Sequence, residues 1–421
     1  MNQNRKVIYL ILLAGLLARL FLFFNFLDSQ EFFYDDDSFG YVQLAENMRV
    51  NKIFSWEADE PFVPNSFRTP GYPFFLFLHK AIFGNYLAAL VVQSILVVAS
   101  AYILFLLAEI SGKKRIGELA AAIFLFMPFS LQVSLQFLTQ PLFLFTLMLA
   151  VWFWVLFLKT NQNKFFLYVS FLLPVLALIR PIAVFIYIPF LISFFYNQRF
   201  LNKKLFLYKS FGLIFIFFLI LLPWMIRNYR LFGEFSLSSI GPYQLYFYDA
   251  PAVYSFNHDL SFAQAREFLE NKMNEQTQIV SFDEYFTYFH SDILKQRAKE
   301  VFFESPLGLL ATRGILGFKF FVRDGIRYWL EQDEFSLILI ERISLFVIFA
   351  GMIFYLSSFF RRNSQDKELI LFFALLIFYF AALSGAVSSA GLRFVVEPLF
   401  ILTGLLGFKN GLDLVNPHTH T

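Results

Sequence analysis

The chain has 421 residues, 58% hydrophobic and 15% charged, with 63 Phe and a mean hydropathy of +0.61, a balance that lipid rather than water must solvate. A net charge of +3 with no long basic run excludes a nucleic-acid footprint. The absence of Cys excludes disulfides, thiolate nucleophiles and Cys-ligated metals, leaving carboxylates, His, Tyr and Arg for any chemistry.

In chain order, apolar runs able to cross hydrocarbon occur at about 7–27, 86–110, 119–136, 139–158, 165–180, 181–196, 209–224, 336–358, 368–385 and 394–408. They predict an all-α polytopic membrane protein of about ten crossings. The first run, Val7 to Leu27, follows Arg5 and Lys6, exceeds a signal-peptide core and has no small-residue cleavage site after it, so it is expected to be a retained helix. Short basic loops carry Lys113, Lys114 and Arg115; Lys159 and Lys164; Arg199, Lys203 and Lys204; and Arg361, Arg362 and Lys367. These loops and both termini are expected on the cytoplasmic side, with the remaining loops facing outward.

Two outward loops are long, 28–85 and 225–335. They suggest three units: an N-terminal transmembrane module 1–224, an outward helical cap 225–335, and C-terminal transmembrane helices 336–421 with a cytoplasmic tail. In the first loop Tyr41, Leu44, Ala45 and Met48 recur at helical spacing, and 72–83 is a second segment suited to the membrane surface. In the cap, 261–272 and 282–303 read as polar-faced helices and 306–330 as an interfacial helix carrying Arg313, Lys319, Arg323 and Arg327. No internal repeat of the inverted-repeat transporter kind is present.

Asp35, Asp36 and Asp37 follow the first helix directly. Crowded carboxylates raise the pKa of at least one of their number, which suits a general base or a metal ligand; a solvated acidic turn is the plainer alternative. Arg68 precedes Thr69-Pro70-Gly71-Tyr72-Pro73, a stiff turn that holds it in place. The topology brings Arg68, Arg180, Arg227 and Arg393 to the same surface as the acidic turn. Each alone is explained by snorkelling to headgroups, but together they make an anion site. For Arg19, Glu109 and the adjacent Glu341 and Arg342, structural pairing is expected. His79, His258, His290, His418 and His420 are scattered, without zinc-ligand spacing, and neither a phosphate loop nor a serine-nucleophile elbow occurs.

The stretch Asp37-Ser38-Phe39-Gly40-Tyr41 through Asn47, followed by Phe67-Arg68-Thr69-Pro70-Gly71-Tyr72-Pro73, resembles the first outward loop of bacterial family 39-like glycosyltransferases. These are GT-C fold enzymes, alongside protein O-mannosyltransferases and the lipid A aminoarabinose transferase. Leu178 to Pro181, Pro223-Trp224 with Arg227-Asn228 and Gly233, Ser305-Pro306 and Arg393-Phe394 extend the likeness in order along nearly the whole chain. The resemblance implies a bacterial inner-membrane enzyme that moves a hexosyl or pentosyl group, with inversion, from a polyprenyl-phosphate donor to a hydroxyl of a lipid, glycan or protein acceptor on the outer face. It implies Asp37 as general base, Arg68, Arg180, Arg227 and Arg393 as donor-phosphate ligands, and Tyr41, Tyr72 and Gln140 as substrate-orienting groups. Many relatives carry an acid where this chain has Gln140, which cannot ionise. Compensation by Asp35 or Asp36 is one alternative, and a divalent ion held through the acidic turn stays open, because the superfamily includes metal-dependent and metal-independent members. The rival reading is a transporter or flippase for a lipid-linked or anionic substrate, which would place paired ionisable groups near the bilayer midplane. A sugar-polymer ligase or polymerase is disfavoured by the acidic turn after the first helix.

Overall fold

A computed structural model describes residues 5–198, 203–277, 290–325, 334–360, 367–385 and 389–415. Outside these lie Arg199, Arg327, Arg361, Arg362, His418, His420 and the 282–289 part of a predicted helix. Among the described residues all regular structure is helical, and each of the ten apolar runs has a helical counterpart.

The first helix, α1 (Lys6–Asn25), exposes Leu10, Leu13, Leu17, Phe21 and Phe24, a face that only lipid solvates without penalty. The first loop folds as α2 (Ser38–Val50) and α3 (Gly71–Phe83), packed together through Tyr41 and Tyr72, and matches both segments read from the sequence. Next come α4 (Leu87–Glu109), α5 (Lys114–Phe126), α6 (Pro128–Ser134) and α7 (Gln140–Thr160). The run at 119–136 is not straight: Met127 is extended, Pro128 opens a new helix, and α5 and α6 meet at 63°. Then α8 (Asn163–Ile179) stops at Arg180, a short 3₁₀ turn intervenes, and α9 (Tyr187–Gln198) and α10 (Lys203–Phe232) follow. The cap contains α11 (Ile240–Gln244), a π turn at Leu245–Asp249, α12 (Ala250–His258), α13 (Phe262–Thr277), α14 (Ser291–Glu304) and α15 (Pro306–Val322), the last two meeting at 101°. The chain closes with α16 (Glu334–Ser357), α17 (Lys367–Ala382), α18 (Ser389–Phe394) and α19 (Glu397–Val415).

By length and apolarity alone, five described helices can cross a bilayer, or seven if each bent pair is one span, and two further apolar helices are shorter. The chain is a multi-pass membrane protein. The bundle is tightened where α16 meets α19: a Cβ on Gly407 would lie 1.8 Å from the Gly351 carbonyl oxygen, so only glycine lets these backbones touch. The cap has its own apolar core of Tyr243, Tyr246, Phe247, Val253, Leu269, Met273, Leu294 and Ala298, into which Phe67 of the first loop inserts.

Of the charged groups in or near the helices, Glu109, Glu341 and Arg342 form ion pairs, and Arg19 is held by neutral acceptors. Glu109 binds Arg5 at 2.6 Å, and buried Arg19 donates to the Leu125 carbonyl and to Ser130 Oγ. Glu341 does not pair with Arg342: consecutive helical side chains point about 100° apart. Glu341 faces Arg393 at 3.4 Å and Arg342 binds Asp324 at 2.6 Å.

Candidate active site

The first loop, α6 and the segment after it, the end of α8, the start of α7, the cap, and Leu383, Gly385, Ala390 and Gly391 line a cavity of about 730 Å³. Asp35, Asp36, Asp37, Arg68, Gln140 and Arg180 all line it.

Asp37 occupies the N-cap position of α2 without a side-chain capping hydrogen bond, and the helix dipole there favours a carboxylate. The turn before it is tied locally: the Asp35 N–H donates to Ser38 Oγ at 2.8 Å, and the Asp36 N–H to Asp35 Oδ1 at 2.7 Å. Tyr41 lies one turn on, on the same face. Arg68 therefore reaches both, donating from Nη2 to Asp37 Oδ1 at 2.6 Å and from Nη1 to the Tyr41 hydroxyl at 3.1 Å. Burial works against the Arg68 charge, but the Tyr41 and Asp37 partners outweigh it and hold its pKa above the ordinary arginine value. Burial pushes the Tyr41 phenol up. Asp37 itself is 54% exposed on the cavity side.

Arg180 arrives from a different direction. Pro181 forces the residue before it out of the helical region, so α8 ends with Arg180 extended, φ −141° and ψ 124°. Two contacts bring this end to the first loop. Thr69 Oγ1 donates to the Ile179 carbonyl at 3.2 Å, and Gly71 lies so near α8 that a Cβ would sit 2.7 Å from the Leu178 carbonyl oxygen. Arg180 Nη1 is buried without a hydrogen-bond partner. Burial lowers its pKa against the pull of Tyr41 and Asp37, and the guanidinium stays a cation at neutral pH with its Nη1 donor unused.

Gln140 opens α7 beside Gly391, where an added Cβ would lie 3.1 Å from its Nε2. Tyr72 is fully buried beneath the site and donates to Gln93 Oε1 at 2.6 Å; it does not line the cavity, and nor does Tyr41. Arg227 and Arg393 also stand outside the lining. Arg227 donates to the Asn65 carbonyl at 2.7 Å and lies 4.7 Å over the Trp224 ring. Arg393, fully buried, donates to the Phe320 and Arg323 carbonyls between Glu341 and Glu397. Lining residues that the sequence did not single out include Tyr243, Gln244, Tyr248, Asp249 and Asp324. Tyr248 and Asp249 fall in an aromatic-acidic run, Tyr246 to Asp249, within a long loop; the other three carried no signal.

Among the described residues no group of three or more His, Cys, Asp or Glu side chains is disposed to hold a metal ion. Asp35 Oδ1 accepts from the Asp36 N–H and Asp37 Oδ1 from Arg68.

Residues 67–225 match the family model of dolichyl-phosphate-mannose-protein mannosyltransferases. No curated protein matches the chain. Solved structures with the same fold include an oligosaccharyltransferase, AglB, of Archaeoglobus fulgidus. Its complex with an inhibitory peptide and a dolichol-phosphate is 14% identical, with a TM-score of 0.56 over 100% of this chain and 53% of that one. The apo form is 16% identical with a TM-score of 0.56, over 100% and 52%. A form tethered to an acceptor peptide is 14% identical with a TM-score of 0.54, over 98% and 50%. The chain thus spans about half the length of these structures. It has the GT-C fold of membrane glycosyltransferases, and its residues 67–225 carry the family pattern of the dolichyl-phosphate-mannose-protein mannosyltransferases.

Proposed function

We propose that the protein transfers a sugar from a polyprenyl-phosphate donor to an acceptor hydroxyl, with inversion, in this cavity at the outer face of the membrane. The observation that carries the reading is the partnerless, buried Nη1 of Arg180 in the same cavity as the Asp37–Arg68 ion pair. A cation with unused donors beside a held carboxylate suits a departing phosphate next to a base.

Asp37 takes the proton of the acceptor hydroxyl as its oxygen bonds to the anomeric carbon. The bond from that carbon to the phosphate oxygen breaks in the same displacement, which inverts the centre and releases polyprenyl phosphate. Arg180 and Arg68 meet the charge developing on the phosphate. Arg68 has a second role. Paired with it, Asp37 is a weak base; a phosphate competing for the guanidinium loosens that pair and leaves the carboxylate more basic once donor is bound. Arg227 and Arg393 act at one remove, by holding the first loop and the 320–323 backbone. Tyr41 orients Arg68, Tyr72 supports Tyr41 from below, and Gln140 can hydrogen-bond a substrate hydroxyl.

Two further points support the reading. The AglB complex holds a dolichol-phosphate and an inhibitory peptide on the same fold. The turn bearing Lys113 lies at the far end of α4, about 35 Å from the end beside α3, which favours an outward cavity. The test is donor consumption, followed by mass spectrometry, by purified protein given a panel of polyprenyl-phosphate sugars and acceptor extracts. Wild type should consume at least one donor, and Asp37→Asn should lose at least about 10²-fold in rate while still binding it. Binding without consumption in both proteins would instead favour a transporter or flippase.

A further inference from the structure

The proposed base and phosphate chemistry uses only part of the cavity lining. The lining also includes Tyr243, Gln244, Tyr248 and Asp249 of the cap, with Trp56 and Phe67 of the first loop beside them. A π turn at Leu245–Asp249 builds this cap wall. The wider turn shifts the facing of the side chains along it, an arrangement frequent at functional sites. Tyr246 and Phe247 go into the cap core, while Tyr248 and Asp249 line the cavity.

Asp249 is only 9% exposed. Its Oδ2 accepts from Arg313 at 2.7 Å, whereas Oδ1 is buried without a hydrogen-bond partner and stands 3.6 Å from where a Cβ on Gly385 would be. A buried carboxylate oxygen with nothing to accept is costly unless something donates to it in use. Tyr248 is pinned by the Arg266 guanidinium 4.9 Å over its ring, and Tyr243 by edge contact with Phe67 at 5.2 Å, so both rings are held rather than free to collapse. A fixed aromatic wall, a carboxylate oxygen awaiting donors and an exposed amide at Gln244 are what a polyhydroxylated ring needs: its C–H face lies on the rings and its hydroxyls donate and accept.

We propose that this cap wall is the sugar subsite, in which Asp249 Oδ1 accepts hydrogen bonds from hydroxyls of an uncharged sugar lying against Tyr243 and Tyr248. This rests on the cavity being a donor site. It makes Asp249 a specificity-determining residue and disfavours an acidic sugar, whose carboxylate would face the Asp249 carboxylate.

The test measures affinity of the detergent-solubilised full chain for bare decaprenyl phosphate and for decaprenyl phosphate carrying mannose, glucose, arabinose or glucuronic acid. Wild type should prefer at least one uncharged-sugar lipid over the bare lipid and should not prefer the glucuronic acid form. Asp249→Asn should cut the preference about tenfold, the scale of a hydrogen bond to a charged group, and Gln244→Ala about threefold, with bare-lipid affinity moved by no more than about twofold. Gln244 is exposed, so its variant decides the matter should Asp249→Asn fail to fold. Retention of the sugar preference in the folded variants, or an equal loss for bare and sugar-bearing lipid, overturns the subsite. Arg180→Ala should instead weaken all the lipids together. Absence of lipid-phosphate binding by wild type would remove the donor reading itself, and the subsite with it.

Discussion

Arg180 and Arg68 carry the same charge in the same cavity but different partners, and their substitutions should separate. Arg68 is committed to Asp37 and Tyr41, so its loss frees a carboxylate as well as removing a cation from the cavity. Arg180 Nη1 has no partner, so its loss leaves no orphan behind. Arg180→Ala should therefore fold and melt like wild type yet lose about 10²-fold in kcat/KM for donor, and Arg180→Lys, which keeps the charge but not the fork, should recover only part of it. Steady-state donor consumption with a melting curve reads both. The members of this site that were legible in sequence sit beside backbone punctuation: Asp37 directly before a helix, Arg68 before Thr-Pro-Gly, Arg180 before Pro181. The same punctuation was ambiguous for Arg227 and Arg393. An arginine near a helix end can as well clamp backbone carbonyls and stack on Trp224, and spacing alone does not say which. Asp249 was not legible because its role depends on a π turn, which has no composition of its own.

At the scale of elements, the site exists because α3 and α8 touch. Gly71 permits the approach, and a methyl group there would meet the Leu178 carbonyl oxygen at 2.7 Å, with backbone that cannot swing aside. Gly71→Ala should cost about 1–3 kcal/mol, seen as a lower Tm, and should weaken lipid-phosphate binding by separating Arg68 from Arg180. The α2 helix has a pH-dependent tie to its neighbours. Glu46 is held below its ordinary 4.5, first by its hydrogen bond to Arg49 and also by the Tyr86 hydroxyl, against the cost of burial. A carboxylate lowered in the folded state contributes stability above 4.5 and loses it as pH falls through the folded value. Thermal stability should thus drop on acidification below pH 4.5, and Glu46→Gln should flatten that slope, which melting curves across pH will measure. The helices themselves were legible from apolar run length and the 3.6-residue spacing of Tyr41, Leu44, Ala45 and Met48. The bend at Pro128 was less so: proline is compatible with a kink, a break or a new start, and tertiary packing selected the new start, with α5 and α6 at 63°.

For the whole molecule, the cavity closes only if the cap stays seated on the first loop. The seam is specific. The Ser239 N–H donates to the Ser66 carbonyl at 3.0 Å, Ser66 and Ser239 share a hydroxyl contact at 3.1 Å, and Ser238 Oγ donates to the Phe67 carbonyl. Phe67 then passes its ring into the cap core against Tyr243, while the next residue, Arg68, turns back to Asp37. One dipeptide thus ties the cap to the acidic turn, and the cap wall should feel its loss more than the bundle does. Phe67→Ala removes a ring that is 5% exposed, and such truncations cost about 3–5 kcal/mol. Because α11 to α14 have contacts of their own, that cost should appear as local opening. Amide exchange should quicken across 240–258 while α4 and α7 stay protected. Discrimination between donors should decline with cap seating, and bare-lipid affinity, set by Arg180, should hold. Uniform exchange acceleration through the bundle would mean that cap and bundle unfold as one cooperative unit and that the seam has no separate role.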